Sequence, residues 1–449
     1  MSGKNIPRNY KADLPEAVRA SGIHIYDENG KKYIDGCCGA LISSIGHCVP
    51  EVVEAVHKQM GVLNYAHPSR WNCSIIQEAA EKLCSLAPEG LNNVWFVSGG
   101  SEATESAFKL ARQYFIERDG DKSSKHLIVG RWNSYHGATL GCMSISGNMP
   151  RRRIFAPMFK EHPKIQAHYC YRCPFGQKEG SCNLECAHEL ETTIKRVGAS
   201  NIAAFIAEPI VGSTVGGLVP PDGYWEIIRK TCTDNDILLI ADEVMTGMGR
   251  TGKGFAVEHW NVTPDIIASA KGMAAGYIPA GGIIVADKVM DVIRNGSGKF
   301  SHGHTYNANP VMGAAVLAVT QYIKKHKLIQ NSEIQGKALL KKLSMLTNIP
   351  IVGDVRGKGL MIGIELVQGP NKKPFPLSFG ATGVALQECV DRGLIVYPGG
   401  GMVDGGTAGD NFLVAPPLTV TPEDIDKISD ILFDALTVAS EKLLLKAGN

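Results

Sequence analysis

The feature that most constrains the fold is a set of short apolar runs, each followed at once by glycine or a polar residue. Two of them, at 237–241 and 266–270, end beside Asp242 and Lys271. Continuous short runs of this kind predict strands that are covered on both faces, as in a parallel sheet with helices on each side. Further runs lie at 93–97, 126–129, 202–207 and 282–286. With helical patterns between them, as at 101–118, they predict a wound α/β domain.

The charged residues that follow these runs suggest a chemistry. The carboxyl ends of parallel strands meet at one edge of an open α/β sheet, where ligands bind. We therefore expect Asp242 and Lys271 to lie close together. A lysine that forms a Schiff base and a carboxylate that keeps a pyridine nitrogen protonated are what a pyridoxal phosphate (PLP) enzyme needs. Either residue alone is explained equally well as a charge at the end of a strand. The pair predicts a PLP site in which both residues are catalytic, with Lys271 moving the proton between the substrate carbon and the cofactor.

A glycine-containing turn between a predicted strand and a predicted helix is a candidate phosphate site. Its sequence is Ser98-Gly99-Gly100-Ser101. Glycine lets backbone N–H groups approach a phosphate, and a helix N-terminus favours negative charge, so Gly100 and Ser101 are the candidate ligands. The spacing differs from the dinucleotide and P-loop fingerprints, which argues against NAD and ATP. A helix N-cap without a ligand is the alternative interpretation.

Other residues at predicted strand ends complete the candidate cofactor site. Tyr135 and Val244 are placed to stack on opposite faces of a cofactor ring, and His136 and Glu208 face the same crevice. Without a ligand, Tyr135 would be an aromatic plug at a strand end, Val244 an exposed valine and Glu208 a strand-end charge. Thr305, in the loop at 302–306, is a candidate hydroxyl donor to the phosphate. That loop also holds two histidines, but no carboxylate is suitably spaced, so no metal is expected.

Length and charge exclude several classes of protein. With 449 residues, the chain is long enough for a large domain and a smaller one. We expect a small-domain segment at 1–50, a large PLP-binding domain at 51–310 and a C-terminal small domain at 311–449. A formal charge of +2 gives no reason to expect nucleic acid or an anionic membrane as a partner. The absence of a signal-peptide core and of a membrane-length apolar run predicts a cytoplasmic protein with free thiols.

Four cysteines form an unusual cluster, with the spacing Cys170-x2-Cys173-x8-Cys182-x3-Cys186. Cysteine pairs in a polar, glycine-containing segment are typical of zinc sites, although these gaps are irregular and the second is short for a zinc ribbon. A structural metal or a disulfide is one interpretation, and unliganded thiols in a surface loop are the other. The cluster lies outside the predicted strand ends, so no catalytic role is expected.

Taken together, these segments resemble the class III (ornithine/ω-amino acid type) PLP-dependent aminotransferases. The matching segments follow one another along nearly the whole chain, at 98–103, 135–137, 208–209, 241–244, 246–252, 271–272, 303–305 and 415–418. The resemblance implies the α/β fold of the fold-type I PLP enzymes, with a mostly parallel seven-stranded sheet in the large domain and a smaller α+β domain built from both termini.

The resemblance also implies an assembly. It predicts an obligate homodimer, and leaves a tetramer open. In that family Thr305 would reach the phosphate of the neighbouring subunit's cofactor, while Gly100 and Ser101 would hold the phosphate within one subunit.

The chain differs from many members of this family in a segment that binds the substrate. Members that accept 2-oxoglutarate or α-amino acids commonly carry an arginine shortly before the segment Ala415-Pro416-Pro417-Leu418, where it pairs with the α-carboxylate. The stretch at 404–414 contains no arginine. This favours an ω-amino acid, a β-amino acid derivative or a simple amine as donor, with a 2-oxo acid such as pyruvate or 2-oxoglutarate as acceptor. Leu41, Tyr65 and Trp71 are candidates for the substrate wall.

Several activities share the same core residues. Epimerases, a decarboxylase and phospholyases of this fold use the same lysine and aspartate, so these motifs do not separate them from an aminotransferase (EC 2.6.1.-). A non-catalytic binding protein on this scaffold is a further alternative. Its signature would be loss of Lys271, Asp242 or the phosphate loop, and all three are present.

Overall fold

The computed structural model describes residues 4–12, 14–369 and 371–448. The strands in these ranges are β1 (Ala17–Ser21), β2 (His24–Asp27), β3 (Lys32–Asp35), β4 (Leu91–Val97), β5 (Leu127–Arg131), β6 (Lys164–Ile165), β7 (Ile202–Ala207), β8 (Leu238–Asp242), β9 (Ile266–Ala270), β10 (Gly281–Ala286), β11 (Val352–Gly357), β12 (Ile362–Leu366), β13 (Leu394–Ile395), β14 (Tyr397–Val403) and β15 (Ala408–Val414).

The helices that form the core or border the site are α1 (Pro50–Val62), α2 (Ser74–Cys84), α3 (Gly100–Asp119), α4 (Leu140–Ile145), α5 (Met149–Arg152), α6 (Glu185–Val197), α7 (Tyr224–Asp234), α8 (Asp287–Asn295), α9 (Pro310–Lys325), α10 (Leu328–Leu343), α11 (Ala381–Asp391) and α12 (Pro422–Gly448).

The central sheet joins seven strands of the described chain in the order β4-β10-β9-β8-β7-β5-β6. Strands β9, β8, β7, β5 and β6 are parallel, and β10 is antiparallel to both of its neighbours. Because β10 is antiparallel to both β4 and β9, β4 runs in the same direction as β9. The carboxyl ends of β4, β5, β7, β8 and β9 therefore meet at one edge. The prediction of a mostly parallel α/β sheet is confirmed.

Burial on both faces explains the continuous apolar runs. In β7, Phe205 packs in a cluster with Trp225 of α7, whereas Ile206 packs in a separate cluster with Ala107 of α3. All four side chains are fully buried. Such a strand has no solvent face that would require alternating polar residues.

Two smaller sheets flank the central one. The first has the order β1-β2-β3-β13, and β2 and β3 form a hairpin with Gly30 in the turn at a φ of +78°. The second, β11-β12-β15-β14, is antiparallel. Since β13 pairs with β3, strands from both ends of the chain share one sheet. The domain boundaries at 50 and 310 remain an interpretation.

Some elements differ from the sequence prediction. The sequence pattern at 333–346 predicts a helix; in the structure this helix is α10, which begins five residues earlier and ends at Leu343. Strand β6 and helices α6 and α7 were not predicted, and β6 is only two residues long, too short to give a periodic signal. In the ranges given above, no helix is both long and apolar enough to cross a membrane.

Candidate active site

A cavity of about 470 Å³ opens at the carboxyl edge of the central sheet. Its walls come from the segments that follow β4, β5, β7, β8 and β9. The sequence-predicted residues that line it are Gly100, Ser101, Tyr135, His136, Glu208, Asp242, Val244 and Lys271. Residues far apart in the chain are thus brought together as the topology of a parallel sheet requires.

Lys271 directly follows β9 and faces this cavity. Its φ of +45° lies in the left-handed region, which costs about 1–2 kcal/mol for a residue other than glycine. Such strain is found mainly at functional positions. Burial lowers the pKa of the ammonium group to about 8, and the nearby carboxylates of Asp242 and Glu208 oppose that shift. A fraction of the amine is therefore neutral, and nucleophilic, near physiological pH.

Asp242 ends β8 and is held in place by two hydrogen bonds. The Nδ1 of His136 donates to Oδ2 over 2.7 Å, and the backbone N–H of Val244 donates to Oδ1 over 3.1 Å. Asp242 and His136 are 3% and 2% exposed. The carboxylate is thus fixed in direction and largely shielded from water, which strengthens its interaction with a nearby positive charge.

The turn between β4 and α3 has the properties of a phosphate cradle. No side chain caps the N-terminus of α3, so its first N–H groups are available to an anion. The Ser101 hydroxyl accepts a hydrogen bond from the N–H of Ala138 over 3.0 Å, which fixes its position. A methyl group on Gly100 would lie 3.0 Å from Val244, and one on Gly281 would lie 2.7 Å from the backbone of Gly99. Glycine is thus required at 281 and leaves room for a ligand at 100.

Glu208 follows β7 and is buried beside Asp242. Its side chain is 4% exposed, and burial raises its pKa to about 7, with His136 lowering it and Asp242 raising it further. In the described part of the chain, Glu208 Oε2 and His136 Nε2 have no hydrogen-bond partner. Buried polar atoms are rarely left unpaired. These two orphaned atoms at a cavity of this size fit a polar aromatic ligand such as PLP.

Thr305 and the proposed substrate-wall residues lie elsewhere in this chain. Thr305 is exposed, and its backbone carbonyl accepts a hydrogen bond from the Tyr65 hydroxyl over 2.8 Å. Trp71 is 69% exposed, whereas Leu41 is buried with a φ of +61°. Within the described chain none of these four lines the cavity. Ile42, the neighbour of Leu41, lines it instead.

The apolar part of the wall was largely missed by sequence reasoning. It consists of Ile42, Ile210, Met245, Ile278, Pro279 and Ala280. Ile210 and Met245 lie two and three residues after the predicted strand-end acids Glu208 and Asp242, so extending those motifs would have found them. The segment at 278–280 carries no comparable signal.

The four clustered cysteines carry free thiols. Cys170, Cys173, Cys182 and Cys186 line one small cavity away from the site. Nowhere in residues 4–12, 14–369 and 371–448 do three or more His, Cys, Asp or Glu side chains form a group that could hold a metal. The structure therefore offers no support for a metal or a disulfide in this cluster.

A lysine at a strand end, a fixed acid beside it and a cradle at a helix N-terminus define a PLP-dependent enzyme of the α/β type. The family model described as Aminotransferase class-III matches residues 6–436, and the chain belongs to this family. It is a PLP-dependent aminotransferase of class III.

Curated relatives agree with this assignment. The chain is 40% identical over 448 residues to the uncharacterized aminotransferase YodT of Bacillus subtilis (strain 168), covering 99% of this chain and 100% of that protein. It is 33% identical over 419 residues to the putrescine–pyruvate aminotransferase of Pseudomonas aeruginosa, covering 92% and 88%.

Solved structures share the whole architecture. A transaminase from the marine bacterium Virgibacillus superposes with a TM-score of 0.90 at 32% identity, covering 98% of each chain. An amine transaminase from an uncultivated Pseudomonas species, solved in the PLP-bound form, gives a TM-score of 0.89 at 31% identity, covering 98% of this chain and 99% of that one.

Proposed function

We propose that this aminotransferase takes its amino group from a donor whose reacting carbon bears no carboxylate, and passes it to a 2-oxo acid. The donor classes are ω-amino acids, β-amino acid derivatives and simple amines, and the acceptors are pyruvate or 2-oxoglutarate. The observation that carries the proposal is the stretch at 404–414, which precedes Ala415 and contains no arginine.

The cavity wall supports the same donor class. Ile42, Ile210 and Met245 present apolar surface next to the reactive lysine. An apolar wall favours an alkyl or aryl substituent over a carboxylate, because an unpaired charge is costly to bury. The putrescine–pyruvate aminotransferase among the relatives acts, by its name, on such an amine.

The residues of this chain have distinct proposed roles. When bound, PLP supplies an aldehyde that binds amines covalently and a ring that withdraws electrons from the reacting carbon. Asp242 keeps the proton on the ring nitrogen, and Val244 and Tyr135 hold the ring between them. Gly100 and Ser101 bind the phosphate. The Nζ of Lys271, with a pKa near 8, takes a proton from the substrate carbon and returns it on the cofactor side.

A donor screen tests this proposal. Purified enzyme is mixed with one donor at a time, and conversion of the cofactor to its pyridoxamine form is followed by absorbance. Diamines, ω-amino acids and β-amino acids should convert it. Among L-α-amino acids, only the one formed from the acceptor (alanine from pyruvate or glutamate from 2-oxoglutarate) should do so, because that half-reaction is reversible, and the others should react far more slowly. Conversion by α-amino acids alone would contradict the proposal. Return of the cofactor in its aldehyde form with every donor would indicate elimination or racemisation instead.

We also propose a homodimer in which Thr305 completes the partner's phosphate site. Thr305, Tyr65 and Tyr306 form one surface, with the two tyrosine rings 6.2 Å apart edge to face. Tyr306 and Trp71 are 63% and 69% exposed. Large exposed aromatic side chains are typical of interfaces. Light scattering after gel filtration should give twice the chain mass, or four times for a tetramer.

The oxidation state of the cysteines is relevant to the cellular compartment of the protein. All twelve thiols of this chain are free. Disulfides form in oxidising compartments and are rare in the cytosol. Free thiols support a cytoplasmic location, which fractionation of cells carrying the tagged protein would test.

A further inference from the structure

The missing arginine leaves open how this enzyme holds the carboxylate of a 2-oxo acid. Two arginines near the site are buried and hydrogen-bonded to other parts of the chain. Arg131 bonds His168 and the Glu208 carbonyl, at 2.8 and 2.6 Å. Arg250 donates to the Leu360 and Pro416 carbonyls, at 3.0 and 2.5 Å. Both are buried. Burial therefore keeps both guanidinium groups from reaching a substrate.

Arg151, on helix α5, is differently placed. Its guanidinium carbon lies 4.4 Å from the centre of the Tyr135 ring, which lines the cavity. Its Nη1 donates to the hydroxyl of buried Ser213 over 3.0 Å. The side chain is half-buried, so part of the guanidinium stays accessible. The group is therefore held in place while retaining unused N–H donors.

The charge of Arg151 reaches the reactive centre. It contributes to lowering the pKa of the Lys271 ammonium group and acts to lower that of the Tyr135 phenol, whose net shift is upward because of burial. Within the described residues, Arg151 forms no ion pair with a carboxylate. Its neighbour Arg152, by contrast, faces Glu161 at 3.4 Å. A positioned arginine without a carboxylate partner is suited to bind an anionic substrate.

We propose that Arg151 binds the carboxylate of the 2-oxo acid acceptor and so replaces the arginine absent from 404–414. This inference rests on the proposed function. Among the described residues, Arg8 is another cation that acts to lower the pKa of Tyr135, but it is exposed and is not among the main charges that act on the pKa of Lys271. Arg151 is therefore the better-placed residue.

Kinetics of the two acceptor types test the proposal. The variants are Arg151→Met, Arg151→Lys and, as a matched control two residues away, exposed Arg153→Met. Pyruvate is compared with propanal, an acceptor of three carbons that lacks the carboxylate. Losing a charge-assisted hydrogen bond should raise the KM for pyruvate about tenfold to a hundredfold in Arg151→Met. The KM for propanal should change little. Arg151→Lys should fall between.

Two outcomes would overturn it. If Arg151→Met and Arg153→Met gave the same KM for pyruvate, Arg151 would not bind the acceptor. If the KM values for pyruvate and propanal rose together, Arg151 would act only by positioning Tyr135. Arg8→Met is included because a selective loss there would assign the role to that residue.

A binding measurement keeps this test separate from turnover. Calorimetric titration with propionate, which has the carboxylate but no reacting group, should show about tenfold weaker binding to Arg151→Met than to Arg153→Met. Unchanged propionate affinity would refute the role of Arg151. If amine donors failed to convert the wild-type cofactor, the proposed function would fail, while the propionate result would still judge Arg151 on its own.

Discussion

The two sides of the candidate site differ in how much of them one chain supplies. The strand-end side contains Asp242, His136 and Lys271, and the loop side contains Thr305 and Trp71. On the strand-end side, Asp242 and His136 are buried and hydrogen-bonded to each other, and Lys271 lines the same cavity. On the loop side, Thr305 and Trp71 are exposed and do not reach the cavity. The comparison teaches that a single chain brings together Asp242, His136 and Lys271, whereas Thr305 would reach a cofactor only in the homodimer that we propose.

The largest effect is expected from removing the reactive amine. Lys271→Ala should lower kcat by about a thousandfold or more, because general acid–base transfer alone contributes about 10²–10⁴-fold. The visible absorbance band of the bound cofactor should also be lost. Lys195→Ala, which changes an exposed lysine on α6, should leave both unchanged. Substantial turnover by Lys271→Ala would contradict the proposed catalytic role of Lys271.

Neutralising the fixed acid should have the next largest effect. Asp242→Asn preserves shape but removes the charge that stabilises a protonated ring nitrogen, so kcat should fall about a hundredfold. Some cofactor should still bind, because Gly100 and Ser101 remain. Equilibrium dialysis of PLP and steady-state kinetics separate the two effects. Full activity of this variant would contradict the proposed role.

A mixing experiment addresses the loop side. Thr305→Ala should weaken PLP binding by about tenfold to a hundredfold, the value of one hydrogen bond to a charged group. Dimers formed from Lys271→Ala and Thr305→Ala chains should contain one intact site, made of Lys271 from one chain and Thr305 from the other. Tight PLP binding at half the sites would follow. If the mixed dimers bound PLP no better than Thr305→Ala alone, Thr305 would act within its own chain.

The smallest effect concerns pH. Since the neutral amine is the nucleophile and the pKa of Lys271 is lowered to about 8, the rate at which PLP recombines with apoenzyme should rise with pH and level off above 8. The Glu208 carboxylate raises that pKa, so Glu208→Gln should shift the profile to lower pH by about half a unit or less. A shift to higher pH would contradict this electrostatic role.

Much of the strand-end half could be predicted from sequence. Short runs buried on both faces mark β8 and β9, and the residue at each strand end follows from the pattern. The fold type and the cofactor were therefore accessible. The spacing of the cysteines at 170–186 could not decide between free thiols and metal ligands, because it suits both.

The substrate region could not be predicted in the same way. Leu41 and Ile42 are adjacent, but positive φ values at Cys38 and Leu41 put the second rather than the first on the cavity wall. Arg151 comes near Tyr135 through the irregular chain around α5, where no periodic pattern fixes direction. Side chains placed by loops depend on tertiary contacts that composition and periodicity do not encode.

The contact between Gly281 and Gly99 has a consequence for redesign of this enzyme. There strand β10 meets the turn before α3 as bare main chain on main chain, so no side chain can be added at Gly281 without displacing the turn. Enlarging the cavity for bulkier amines is better done by shortening lining side chains such as Ile42 or Met245. The main chain at Gly99, which lines the cavity and is held against Gly281, is a fixed boundary of what this scaffold can be adapted to accept.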